Sequence, residues 1–188
     1  MIPTKEFPAK GSGQFHTNGV VRAMKLRLRI HFQMMLVLAT LLVSGVDVRS
    51  EQSYKVGSTV TAFAASDQFG TQFKLNADCQ ALLVSFDMGT GKQANVKLSA
   101  LGKEFLPKHH AIYVANINGM PTIGRVFAIP KMRSYPHRIV LADDAALLRP
   151  FPHKEKLVTV LLLKKGKVTA IRFWDPEKMD ITGILDAP

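Results

Sequence analysis

The chain has 188 residues, a formal net charge of +11, one cysteine and 47% hydrophobic residues. That much apolar material excludes a disordered or fibrous chain, and the length suits one folded unit behind an extension. A lone cysteine excludes an internal disulfide framework.

The first fifty residues differ from the rest. Lys25, Arg27 and Arg29 precede an apolar block over residues 34–46, followed by small and polar residues, the layout of a secretory signal peptide. The block has 13 residues. A helix needs about 20 to cross the hydrocarbon core, so an uncleaved inner-membrane anchor is the alternative to cleavage after Gly45 or Ser50. Met24 is the expected start, because residues 1–23 are polar, contain Gly and Pro, and follow no helix or strand period. A periplasmic or secreted protein is therefore predicted, with residues 1–50 as extension and signal peptide and 51–188 as the folded domain. That domain holds 18 Lys and Arg against 12 Asp and Glu. Scattered over helix faces and turns, the cations read as a solvated surface and argue against nucleic acid as a partner.

Residues 51–57 are a polar lead-in. Residues 59–64 and 71–75 predict two strands around Asp67-Gln68-Phe69-Gly70, a glycine-containing hairpin turn. Residues 81–86 form a nearly continuous apolar run, as expected of a strand covered on both faces. Gly89-Thr90-Gly91-Lys92 then turns into a helix over residues 93–110, with Thr90 and Gln93 placed as a capping box. Ala94, Leu98, Leu101 and Phe105 make its apolar stripe, Gly102 weakens it and Pro107 ends it.

Residues 111–117 are a second apolar strand. Reaching it through a helix implies a parallel, right-handed crossover. Pro121 opens a short helix over 122–128 and Pro130 stops it. Residues 131–136 read as a basic, irregular segment, 137–142 as a third strand, 145–148 as a short element after Asp143-Asp144, and 149–156 as a proline-containing loop. Residues 158–163 and 168–173 predict a hairpin in which Gly166 takes a left-handed conformation. Asp175 and Pro176 then start a closing helix to about residue 185, with Met179 and Ile184 or Leu185 inward.

This order resembles the thioredoxin-like superfamily in its peroxiredoxin-like and exported bacterial forms. The likeness rests on Phe63 to Asp67, Gly70 and Leu75 as the opening hairpin, on Leu82-Leu83-Val84-Ser85-Phe86 before the active site, and on Leu161-Leu162-Leu163-Lys164-Lys165-Gly166-Lys167-Val168 as the closing hairpin. It implies an α/β, three-layer fold with a central mixed sheet of about five strands, an N-terminal hairpin and flanking helices. It also implies one or two cysteines at the start of the first helix, where the helix N-terminus lowers a thiol pKa. Here Gly89-Thr90-Gly91-Lys92-Gln93-Ala94 holds that place without a thiol. The proline that the family carries before the hairpin strand is missing from Lys154-Glu155-Lys156-Leu157.

The expected function is therefore an exported thioredoxin-fold protein without thiol redox chemistry, a non-catalytic binding or accessory protein of the bacterial envelope, taking an envelope protein or peptide and no cofactor. Two alternatives belong to other classes. One is an oxidoreductase working through Cys79, a flavin or a partner disulfide. The other is an anion- or lipid-binding module.

Cys79 precedes the strand, which favours a part-buried small residue over a reactive thiol. Gly89-Thr90-Gly91-Lys92 offers helix-start amides and a lysine to an anion, yet lacks the spacing of a phosphate-binding loop and reads first as a turn and cap. His109-His110, His137 and His153 lack companions at ligand spacing, so no metal is expected. Lys131, Arg133, Tyr135, His137 and Arg138 are the densest basic and aromatic group, suited to an acidic partner or an anionic membrane surface, or else to plain solvation.

Overall fold

The structure, a computed structural model, describes residues 53–186. The expectations for the signal peptide, its cleavage and the start at Met24 lie outside these residues. Among the described residues no helix is long and apolar enough to cross a membrane.

Seven strands form one sheet: β1 (Ala64–Asp67), β2 (Gln72–Lys74), β3 (Ala81–Ser85), β4 (Ala111–Asn116), β5 (Val140–Ala142), β6 (Val158–Lys164) and β7 (Lys167–Trp174). Their order is β2-β1-β5-β4-β3-β6-β7. The expected count of about five is corrected upward, because β1 pairs with β5 and joins the opening hairpin to the main sheet. β3 lies between β4, its parallel neighbour, and β6, its antiparallel one, and all five of its residues are buried. The apolar run reads as it does because neither face nor edge of this strand meets water.

Side chains leave β3 alternately, and the two faces have different covers. Leu83, Tyr113, Ala115, Val160 and Trp174 pack under α1 (Met88–Ala100), α2 (Phe105–Lys108), α3 (Thr122–Arg133) and α5 (Thr182–Leu185). Leu82, Val84, Val114, Val140 and Leu161 meet Tyr54, Val60 and Phe151, together with Leu148 of α4 (Ala145–Leu148). The result is three layers, with the longer helices all on one side.

Several predicted boundaries move. The first strand is 64–67 rather than 59–64, because Thr59 instead bridges to Lys167 at the far edge of the sheet. The predicted long helix divides: Gly102 at φ +86 ends α1, Leu101 is exposed at its C-cap, and Pro107 sits inside the short α2 rather than ending a helix. α3 runs through Pro130 to Arg133, so Lys131 and Arg133 are helical and not in a loop. Proline removes one amide, whose partner would be the carbonyl of Val126, and the helix has no buried residue there for a break to disturb. The third strand shortens to 140–142. The closing hairpin turns in two residues, Lys165 at φ 50 and Gly166 at φ 74, the left-handed pair of a type I′ turn, with a bulge between Leu162 and Leu163. Only Thr182–Leu185 is helical at the end; Met179 is exposed while Ile184 is buried.

Candidate functional site

The end of β3 delivers the chain to the first turn of α1, the position where the resemblance places reacting thiols. The cap of this helix is Asp87, not Thr90. Asp87 has extended backbone, and its carboxylate accepts the Thr90 amide at 2.8 Å and the Thr90 hydroxyl at 2.7 Å. Thr90 is buried as the third helical residue, and Gln93 takes no part. The Asp87 carboxylate already occupies the position that an anion held by Gly89-Thr90-Gly91-Lys92 would take.

Burial opposes ionisation of Asp87, but the amide and hydroxyl of Thr90, the Gly89 amide and nearby His153 together prevail, holding its pKa below the usual carboxylate range. A lowered carboxylate pKa stabilises the fold above about pH 4, and the contribution disappears as acid protonates the cap. Asp87→Ala is expected to remove about 1 kcal/mol at pH 7 in chemical denaturation, and less at pH 3.

Beneath the turn lies a buried polar chain. Ser85 and Tyr113 share a hydroxyl hydrogen bond of 2.9 Å, and Tyr113 also donates to the Gly91 carbonyl at 3.3 Å. Asn95 donates its amide to the same carbonyl at 2.8 Å, which turns its Oδ1 toward His137 Nε2 at 2.9 Å. Nε2 therefore carries the imidazole proton. The approach at Gly91 is close: a Cβ there would stand 3.2 Å from Ser85 Oγ, displacing that side chain by a few tenths of an ångström, and 3.5 Å from Tyr113 Oη. Burial raises the Tyr113 pKa well above its usual value, so the hydroxyl stays protonated. Ser85, Asn95 and Tyr113 were not singled out by the sequence. The available signal was a polar residue inside each of two apolar patterns, Ser85 in the strand and Asn95 next to Ala94 on the helix.

Cys79 sits before the start of β3, at the other end of the strand from this turn. Ala81–Ser85 spans roughly 13 Å at the rise of an extended strand. The thiol is 4% exposed and donates to the Ala81 carbonyl at 3.3 Å. Burial pushes its pKa up to about 11, against the partial opposing effect of that hydrogen bond. A thiol so held has almost no thiolate at neutral pH, and the thiolate is the nucleophile.

The basic group at 131–138 does not form one surface. Arg133 donates to the carbonyl of Gln68, on the β1–β2 turn, at 2.8 Å, and Arg138 pairs at 2.9 Å with Asp67, the last residue of β1. His137 is buried, and Tyr135 stacks on its ring at a centroid distance of 5.8 Å. Lys131 lies over Tyr135, 5.4 Å from the ring centroid. Of the other histidines, His109 bonds the Phe105 carbonyl, and His153 stacks on Phe86 beside the turn at 4.4 Å. Among the described residues no cluster of three or more His, Cys, Asp or Glu is placed to hold a metal ion.

Between the start of α1 and α3 a groove of about 170 Å³ opens over the ends of β3 and β4. Met88, Met120, Met132 and Tyr135 give it apolar walls, and Lys92 and Lys131 stand at its sides. Its size falls below the roughly 300–1,000 Å³ usual for small-molecule and cofactor sites. One or two inserted side chains suit it better.

No protein-family model matches the chain, and no curated protein matches it. Solved structures do. A putative thiol:disulfide interchange protein, DsbE from Chlorobium tepidum, is 16% identical with a TM-score of 0.52, over 71% of this chain and 96% of that one. A peroxiredoxin-like protein from Aquifex aeolicus (10% identity, TM-score 0.48, 71% of this chain and 85% of that one) and a thio-disulfide isomerase from Thermus thermophilus (16%, 0.47, 70% and 93%) also align. The fold is thioredoxin-like. At such identities the likeness is one of architecture, and the activities in those names belong to those proteins.

Proposed function

We propose that the chain is an exported, non-catalytic binding protein of the bacterial envelope, which holds a protein or peptide partner through the groove beside the Gly89–Lys92 turn. The observation that carries the reading is a capped glycine turn without a thiol that borders a methionine-lined groove. Methionine is unbranched and polarisable, so such walls adapt to differing side chains. The lone thiol is buried at the opposite end of β3, which opposes the single-thiol oxidoreductase alternative. Export is supported by the basic segment and 13-residue apolar block near the N-terminus.

Reduced, carboxymethylated α-lactalbumin, an unfolded chain without free thiols, is a suitable probe. Titration by fluorescence anisotropy is expected to give saturable binding, weakened at least tenfold by Ala128→Glu, which places a charge in the groove. Binding that is missing, or indifferent to the variant, contradicts the proposal.

A further inference from the structure

α3 carries a second surface, which shares Lys131 with the edge of the groove. Ile123 is 68%, Val126 59% and Phe127 71% exposed, large values for side chains of this size on one helix. At about 100° per residue, Phe127, Ile123, Pro130 and Val126 fall next to one another on one face. Lys131 follows on one flank of that stripe and Arg133 on the other. Both cations are exposed. The helix Thr122–Arg133 contains no acidic residue, and Arg125, its remaining cation, is paired with Asp143.

We infer that this face docks on an anionic lipid surface, with Phe127, Ile123 and Val126 entering the interface and Lys131 and Arg133 meeting headgroup phosphates. Charge decides among the occupants. A second copy of the chain would set one all-basic helix against another, with no acid on either to pair. A negatively charged bilayer complements both flanks while accepting the apolar stripe between them. The stripe is also convex, standing on a single helix, which suits entry into a soft interface. The bond from Arg133 Nε to the Gln68 carbonyl fixes the side chain, and that neutral acceptor does not cancel its charge.

The test uses the full chain with Phe127→Trp, in which emission is compared with that of Trp174, buried and the natural chain's one tryptophan. With vesicles of phosphatidylglycerol and phosphatidylcholine, the new tryptophan is expected to shift to the blue and to be quenched by brominated lipid, while Trp174 in the parent chain is not. Pure phosphatidylcholine vesicles, Lys131→Glu and Ile123→Asp should each reduce the partitioning reported by this residue at least tenfold. No quenching in anionic vesicles overturns the inference. So does a blue shift without lipid that accompanies a doubling of mass in sedimentation, which would assign the face to a second copy. A shift produced by unfolded α-lactalbumin and not by vesicles overturns it in favour of a protein partner.

Discussion

Acidification from pH 7 to pH 4 is expected to remove about 3 kcal/mol of folding stability through one side chain, His137. The ring is buried against Tyr113 and Tyr135, and burial pushes its pKa down to about 4. An unfolded histidine titrates near 6.5. Because the folded value is depressed, protons bind the unfolded chain first. The full contribution is present above about pH 6.5 and falls as pH drops toward 4. The cause is geometric: Nε2 is committed to Asn95 Oδ1, and the buried Nδ1 has no hydrogen-bond partner among the described residues to receive a new proton's charge. Urea denaturation at several pH values should show this slope, and His137→Gln should flatten it between pH 6.5 and 4. Equal slopes in the two proteins would assign the acid sensitivity elsewhere.

Trp174→Ala is expected to cost about 3–5 kcal/mol, the range for deleting a fully buried aromatic side chain. Trp174 is 0% exposed at the end of β7, in the cluster that joins the sheet to α1 and α5. Its Nε1 donates to the Met179 carbonyl at 3.0 Å, tying down the segment before α5. Truncation therefore opens a cavity and frees that carbonyl together. Trp174→Phe keeps most of the packing and should lose about 1–2 kcal/mol. Circular dichroism is the appropriate readout, because the substitution removes the protein's only tryptophan. A loss below 1 kcal/mol for the alanine variant would mean that the ring is not part of the cooperative core.

The sequence disclosed those features whose cause is local. Ala81–Ser85 was legible because a strand buried on both faces is apolar almost throughout, and Gly166 because a short hairpin connection needs left-handed backbone. Asp87 was overlooked because Thr90 and Gln93 offered a competing cap, although an Asp three residues before a Thr is itself a capping pattern. α3 was cut short at Pro130 because a proline signal is read without knowing whether the helix there is buried. The partners taken by residues 131–138 were hidden for a different reason. Gln68, Asp67 and Asn95, which bond Arg133, Arg138 and His137, lie between 42 and 71 residues away in sequence, and no short window contains them. Likewise, the buried chain from Ser85 through Tyr113 and Asn95 to His137 joins two strands, a helix and a loop. Only the fold brings them together.

The claim that the scaffold persists without its thiol chemistry is tested most directly by turnover. Insulin reduction in the presence of dithiothreitol and hydrogen peroxide reduction should be followed for the natural chain beside Cys79→Ser. Both proteins are predicted to match the uncatalysed background in both assays, because Cys79 is buried, protonated and at the wrong end of β3. Turnover above background in the natural chain that disappears in Cys79→Ser would contradict the account.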